Sequence, residues 1–278
     1  MNQTIAANFA RVKPYFLIFP LLVMVGVFCF LYTQDALQPE KYALIQKDCF
    51  FYLNAKLSQL PDLQYNLTQF GDAFVVLCLL SVLLVYFPKI WENLLSASLL
   101  SLLFSRSLKE YFDIPRPATI YPTDTFSIIG KEAVGFSSFP SGHSITVFTT
   151  LGVLLIAFLP KSLIKRCLYV IFLIVLGLIL AFTRVAVGAH HPLDVISGSA
   201  IGCISAFLGI LINQKYNIWQ WISNKKYYPI FIVLFLGCAI IMIYKVLEEN
   251  VFVYYLSLLS LVVSLFLITK AYVQKINK

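Results

Sequence analysis

Thr183-Arg184-Val185-Ala186-Val187-Gly188-Ala189-His190-His191-Pro192-Leu193-Asp194 joins the end of one apolar run to the start of the next. It gathers charge that membrane-spanning segments usually avoid. Arg184 precedes His190 by six residues, and His190 precedes Asp194 by four. If the run from His190 onward is helical, His190 and Asp194 share a face and their side chains can touch. A carboxylate held on one imidazole nitrogen selects the tautomer and leaves the other nitrogen basic. Arg184 adds a planar fork of donors suited to a phosphate. Twelve residues thus hold a candidate nucleophile, its orienting carboxylate and an anion clamp. The plainer alternative is three polar residues at a membrane interface, two of them satisfying each other.

Composition sets the class around this stretch. Of 278 residues, 60% are hydrophobic and only 12% are charged, with a mean hydropathy of +0.84. Soluble domains carry about a quarter charged residues, so the expectation is an all-α, multi-pass membrane protein. The net charge of +8 comes from scattered loop residues, and no basic tract points to nucleic acid. The six cysteines show no metal-ligand spacing, and most lie in apolar runs, which favours packing over disulfides. The first apolar run lacks a cleavage site behind it and reads as a retained span.

Spans of about 20 residues cross a bilayer core. Eight candidates are visible, at 15–33, 73–88, 92–108, 143–160, 167–184, 193–213, 228–246 and 251–270. The last two are joined by only Leu247-Glu248-Glu249-Asn250, which suggests a tight hairpin. Arg11, Lys13, Lys89, Lys161, Lys165, Arg166, Lys215, Lys225, Lys226, Lys270, Lys275 and Lys278 all fall on one side of an even-span count. That side is expected to be cytoplasmic, with both termini inside. The opposite side receives 34–72, 109–142, 185–192 and 247–250. Within 34–72, Ile45, Cys49, Leu53, Leu57 and Leu60 recur at helical spacing, which predicts an amphipathic helix at the membrane surface, or a packed cap.

Two further motifs emerge on the same side as the first. Lys109 lies seven residues before Arg116, which is stiffened between Pro115 and Pro117. Pro140-Ser141-Gly142-His143 opens the fourth span. Ser141 can cap the helix, Gly142 permits close approach, and the free amides of a helix start attract anions. His143 would stand beside such an anion as a proton donor. All three histidines of the chain lie in these motifs.

Taken together, Lys109-EYFDIP-Arg116-Pro117, Pro140-Ser141-Gly142-His143 and Thr183-Arg184-VAVGA-His190-HPL-Asp194 resemble the signature of the type 2 phosphatidic acid phosphatase (PAP2) superfamily. Thr183 replaces the usual serine and keeps its hydroxyl. The resemblance covers roughly 73–213 and implies a six-helix membrane core, to which a C-terminal two-helix hairpin is added. It divides the chain into 1–72, a first span with an outer segment; 73–213, the catalytic core; and 214–278, the two-span extension. It further implies a cofactor-free, metal-independent phosphohydrolase. In it His190 is the nucleophile, Asp194 its orienter and His143 the general acid. Lys109, Arg116, Arg184, Ser141 and Gly142 hold the phosphoryl group. His191 is expected at the interface and outside the chemistry. The expected partners are the membrane and a lipid phosphate or pyrophosphate; undecaprenyl pyrophosphate, phosphatidylglycerophosphate, phosphatidic acid and lipid A phosphates are all admitted, and no obligate protein partner is evident. The expected location is a bacterial inner membrane, with the site on the periplasmic or extracellular side. A phosphotransferase would use the same motifs, whereas a lipid-phosphate transporter would place charge within the spans.

Overall fold

A computed structural model describes residues 1–276, and no strand occurs among them. A short helix α1 (Asn2–Ala10) precedes α2 (Ile18–Thr33). The outer segment folds as α3 (Pro39–Leu44), α4 (Lys47–Leu57) and α5 (Pro61–Thr68). Then come α6 (Ala73–Leu79), α7 (Leu83–Tyr86), α8 (Pro88–Phe112) and α9 (Pro117–Ile120). The remaining helices are α10 (Gly142–Ala157), α11 (Leu163–Ala186), α12 (Pro192–Tyr216), α13 (Tyr228–Glu248) and α14 (Phe252–Ile276).

Among the described residues, five helical stretches are long and apolar enough to cross a membrane: Pro14–Thr33, Leu163–Ala186, Pro192–Tyr216, Lys225–Glu248 and Phe252–Lys275. α10 is a shorter apolar helix. Phe19, Leu22, Val25 and Phe28 of α2 and Leu168, Ile171 and Phe172 of α11 are exposed, as side chains that face lipid are. The chain is an all-helical integral membrane protein.

Two of the eight predicted spans look different in the fold. The third, α8, is long enough at 25 residues, about 37 Å, but it is polar. Its serines and Asn93 serve a helix packed against α10 and α12, where hydroxyls replace lipid contacts. The second is broken at Leu80-Ser81-Val82 into α6 and α7. A broken helix at membrane depth needs partners for its freed backbone groups, and α14, with Trp91 of α8, supplies them. Ser260 Oγ donates to the Leu79 carbonyl at 2.7 Å and Ser257 Oγ to that of Val75 at 3.2 Å. Ser264 Oγ lies 2.8 Å from Ser81 Oγ, and Trp91 Nε1 donates to the Leu80 carbonyl at 2.9 Å. A serine stripe on α14 is thus the counterpart of the break.

α12 is the central helix, packed against α2, α8, α10 and α11. Small residues let it approach closely. A Cβ at Gly202 would lie 2.5 Å from the Ile145 carbonyl of α10, and one at Gly198 would lie 2.6 Å from that of Ser141. Apolar layers of Ile5, Phe9, Ile90, Leu94, Val153, Ile156 and Ile210 fill the end of the bundle remote from the motifs. The hairpin packs on α6 and α7 through Phe231, Phe235, Met242, Tyr254 and Leu261.

The outer segment corrects the expected amphipathic face. Cys49 and Leu60 are exposed, while Gln46, Phe50 and Asn54, four residues apart, are buried. Asn54 Nδ2 donates to the carbonyls of Ser127, Val185 and Ala186 at 2.9, 3.0 and 3.1 Å, and its Oδ1 accepts from Ser127 N at 2.8 Å. One side chain thus ties the loop at Ser127 to the last turn of α11, so Gln46 and Asn54 face inward and α4 is a packed cap.

Candidate active site

The three motifs meet at one end of the bundle, where α8, α10 and α11 terminate or begin and α12 starts. The loop out of α11 turns at Gly188, whose φ of +77° suits glycine. A Cβ there would lie 2.7 Å from the Ser127 carbonyl. The amides of Ala189 and His190 then donate back to the Arg184 carbonyl at 3.0 and 3.2 Å, which fixes His190 beside the end of α11.

His190 is not helical, contrary to the sequence expectation. Pro192 is the first residue of α12, and a residue before proline is driven to extended backbone; His191, with φ −75° and ψ 157°, is the N-cap. The His190–Asp194 contact survives by another route. Asp194, in the first turn, folds back so that its Oδ2 accepts from His191 N at 2.8 Å. The same oxygen lies 3.5 Å from His190 Nδ1. That separation is loose, and His190 Nδ1 makes no hydrogen bond of good geometry.

Asp194 is fully buried and accepts two further hydrogen bonds, from Tyr42 O–H to Oδ1 and from Ser138 O–H to Oδ2, both 2.6 Å. Its charge is therefore held by three donors from three parts of the chain, as a buried carboxylate requires. Gln46 Oε1 accepts from Leu193 N at 2.7 Å and steadies the same turn. His191 is also fully buried, with its Nδ1 3.5 Å from Asp194 Oδ2 and its ring edge-on to Tyr42 and Tyr121. It packs in the core of the cap and not at the interface as expected, because N-cap geometry points it under α3 and α4.

The remaining motif residues close around His190. Arg116 Nη1 donates to the Ala189 carbonyl at 3.2 Å, and its Nε and Nη2 lie 3.3 Å from Ser137 Oγ. Arg184 Nη1 donates to Thr68 Oγ1 at 3.0 Å, while its buried Nε has no partner. A Cβ at Gly142 would lie 3.6 Å from Lys109 Nζ and 3.2 Å from Ser105 Oγ. His143 lies within the electrostatic reach of Lys109, Arg116, Arg184 and His190 at once. Ser141 caps α10: its Oγ accepts from Ser144 N at 3.4 Å, and its amide donates to the Asp194 carbonyl at 3.0 Å. That hydrogen bond ties the second motif to the third. The amide of Gly142 opens the helix and is one of its unsatisfied donors.

All eight sequence-predicted residues are therefore brought to one place. Burial, with the charges of Arg116 and Arg184, holds the His190 pKa down at about 3, against the opposing pull of Asp194. The imidazole is neutral at physiological pH. A neutral imidazole among three cations and a helix N-terminus can attack and hold a phosphoryl group. Among the described residues no three His, Cys, Asp or Glu side chains converge as a metal site.

Tyr42, Gln46, Asn54, Thr68 and Ser138 were missed by sequence reasoning. The four-residue spacing of Gln46, Phe50 and Asn54 was the available signal; read with Tyr42, it marks a stripe with a polar job. Ser138 and Thr68 carried none.

The profile of the PAP2 superfamily matches residues 91–219. A lipid A 1-phosphatase of Rhizobium etli is 33% identical over 190 residues, which cover 59% of this chain and 78% of the relative. A phosphatidylglycerophosphatase B of Bacillus subtilis is 27% identical over 158 residues, 54% of this chain and 73% of the relative. The crystal structure of Aquifex aeolicus LpxE aligns with a TM-score of 0.47 at 26% identity, over 59% of this chain and 93% of that one. The motifs, their convergence and the profile and sequence matches lead to one assignment: the chain belongs to the PAP2 superfamily, with a lipid A 1-phosphatase and a phosphatidylglycerophosphatase among its relatives.

Proposed function

We propose that this protein hydrolyses a membrane lipid phosphate or pyrophosphate, without a metal ion, through a phosphohistidine at His190. The observation that carries the reading is a fully buried His190 whose Nδ1 lies 3.5 Å from Asp194 Oδ2, with Arg116 held on the Ala189 carbonyl beside it and Lys109, Arg116 and Arg184 gathered around the neighbouring His143. With Asp194 favouring the proton on Nδ1, the Nε2 lone pair attacks phosphorus. The bond to the leaving oxygen breaks, and that oxygen takes a proton from His143, whose charged form is favoured by the negative charge of the bound phosphate. Water then attacks the phosphohistidine, giving its proton to the now neutral His143, and phosphate departs. The cations and the Gly142 amide would compensate the equatorial oxygens, which is most of what phosphoryl transfer asks of a protein.

A groove of about 480 Å³ between α6, α8 and α10, lined by Phe74, Leu99 and Leu102, also reaches His143. It fits the hydrocarbon of a lipid held beside the chemistry. Loop charge favours placing this end of the bundle on the non-cytoplasmic side of a bacterial inner membrane, with both termini inside.

The test is phosphate release by purified protein from a panel of lipid phosphates in excess EDTA, with an acceptor lipid added in one arm. Activity should persist in EDTA, vanish in His190→Ala, and leave an acid-labile phosphoprotein on rapid quenching of the wild type. Loss in EDTA with recovery in Mg²⁺ would refute the metal-free step. Phosphate appearing on the acceptor lipid in place of free phosphate would make the enzyme a transferase. For the side of action, Thr123→Cys in a cysteine-free background should react with an impermeant maleimide in intact cells; labelling only after lysis inverts the topology.

A further inference from the structure

The C-terminal hairpin reaches the active site. A cavity of about 380 Å³ that includes His143 and Arg184 is walled on its other side by Lys245, Glu248, Glu249 and Tyr254 of α13, α14 and the turn between them. The turn is fastened to α5 and its C-terminal continuation. Tyr65 O–H donates to Glu249 Oε2 at 2.7 Å, Phe252 N to Asn66 Oδ1 at 2.7 Å, and Tyr254 O–H to Gln69 Oε1 at 3.1 Å. Lys245 Nζ stands 5.1 Å over the Tyr254 ring. Anchors on two elements make this wall a fixed part of the site and not a loose appendage.

Its chemistry differs from that of the apolar groove on the other flank of His143. Around the cavity, Asp72, Glu248 and Glu249 face Lys131, Lys245 and Arg184, three of each sign, with tyrosine hydroxyls and a glutamine amide between them. A second phosphate would call for an excess of cations, and a bare hydrocarbon for apolar walls. Paired donors and acceptors in balance suit hydroxyl groups, which both donate and accept. Both cavities meet at His143, the group that faces the leaving oxygen in the proposed reaction.

We propose that the hairpin is a specificity element, and that its Lys245–Glu248–Tyr254 wall binds a hydroxyl-rich head on the leaving alcohol while the chains occupy the apolar groove. This rests on the phosphatase reading and goes beyond it by naming the leaving-group class. Lys245→Met, which keeps the apolar stem, Tyr254→Phe and Glu248→Gln are compared with wild type as full-length protein in detergent. The substrates are an acylated sugar 1-phosphate and a polyprenyl phosphate of similar chain length. Wild type should prefer the sugar phosphate in kcat/KM. At least two of the variants should lower that preference about tenfold, mainly through KM, as expected when a hydrogen bond to a substrate hydroxyl is lost. Equal efficiency of wild type on the two substrates, or preferences within twofold of wild type in all three variants, overturns the proposal. Release of phosphate from neither lipid by wild type refutes the phosphatase reading itself, and this proposal with it.

Discussion

Replacing Asp194 by Asn tests the centre of the argument, because it keeps shape and removes charge. Attack turns neutral His190 into a positively charged phosphohistidine, and the carboxylate 3.5 Å from Nδ1 compensates that charge. At about 4 Å and an effective dielectric near 20, a unit pair is worth about 4 kcal/mol. Each 1.36 kcal/mol is tenfold in rate, so kcat should fall about 10³-fold. A separate cost falls on the fold. Tyr42 O–H, Ser138 O–H and His191 N–H all donate to Asp194, but an amide accepts on one oxygen only. At least one donor then faces an NH₂ group, which costs about 1.5–3 kcal/mol. Tyr42→Phe separates the two effects, since it removes one donor and leaves the charge, and its kcat should fall less than tenfold. The assay is single-turnover phosphate release, with thermal unfolding measured in the same detergent. A folded Asp194→Asn protein with kcat within tenfold of wild type would refute the charge argument, and so would Tyr42→Phe as damaging as Asp194→Asn.

Three histidines make a ring-nitrogen NMR titration assignable by single His→Gln variants. His190 is held well below the ordinary imidazole value, so its signal should stay neutral as pH falls through 6.5. Arg116→Gln removes a cation that lowers it and should move the transition to higher pH; a wild-type His190 transition between pH 6 and 7 would contradict the burial reading. Gly71 packs on the candidate acid: a Cβ there would lie 2.6 Å from His143 Cβ. Gly71→Ala should displace His143 and slow hydrolysis of alkyl phosphates at least tenfold more than that of p-nitrophenyl phosphate, whose leaving group needs less protonation; equal losses on both would remove the general-acid role. Ser260→Ala leaves the Leu79 carbonyl without its donor and should lower stability by about 1–3 kcal/mol in detergent unfolding, with little change in kcat. No measurable loss would mean that the broken second span is satisfied without α14.

Long-range charge, spacing and hydropathy are properties of the chain read in order, and they carried much of the result. Helical class and membrane character follow from composition, because a chain this apolar must satisfy its backbone internally. Alternation of spans placed Lys109, Arg116, His143, Arg184, His190 and Asp194 at one end of the bundle before any contact was known. Local rules also decided the start of α12, since Pro192 drives His191 to extended backbone and so separates His190 from the helix that a simple four-residue spacing invites. That detail was readable and was outweighed by periodicity.

What only the tertiary structure decided is which polar groups answer one another across distant parts of the chain. Tyr42 and Ser138 reach Asp194 over 152 and 56 residues, Asn54 reaches Val185 over 131, and Ser260 reaches Leu79 over 181. Nothing in the local pattern marks such residues, because a tyrosine or serine in a polar loop or an apolar helix is ordinary until its partner is known. The hairpin is the largest case. By sequence it is two apolar spans with a short turn; in the fold its serines complete the broken second span and its turn walls the cavity beside His143. Hydropathy specifies that a helix lies in the membrane, whereas hydrogen-bond satisfaction in a medium without water selects the neighbour it packs against.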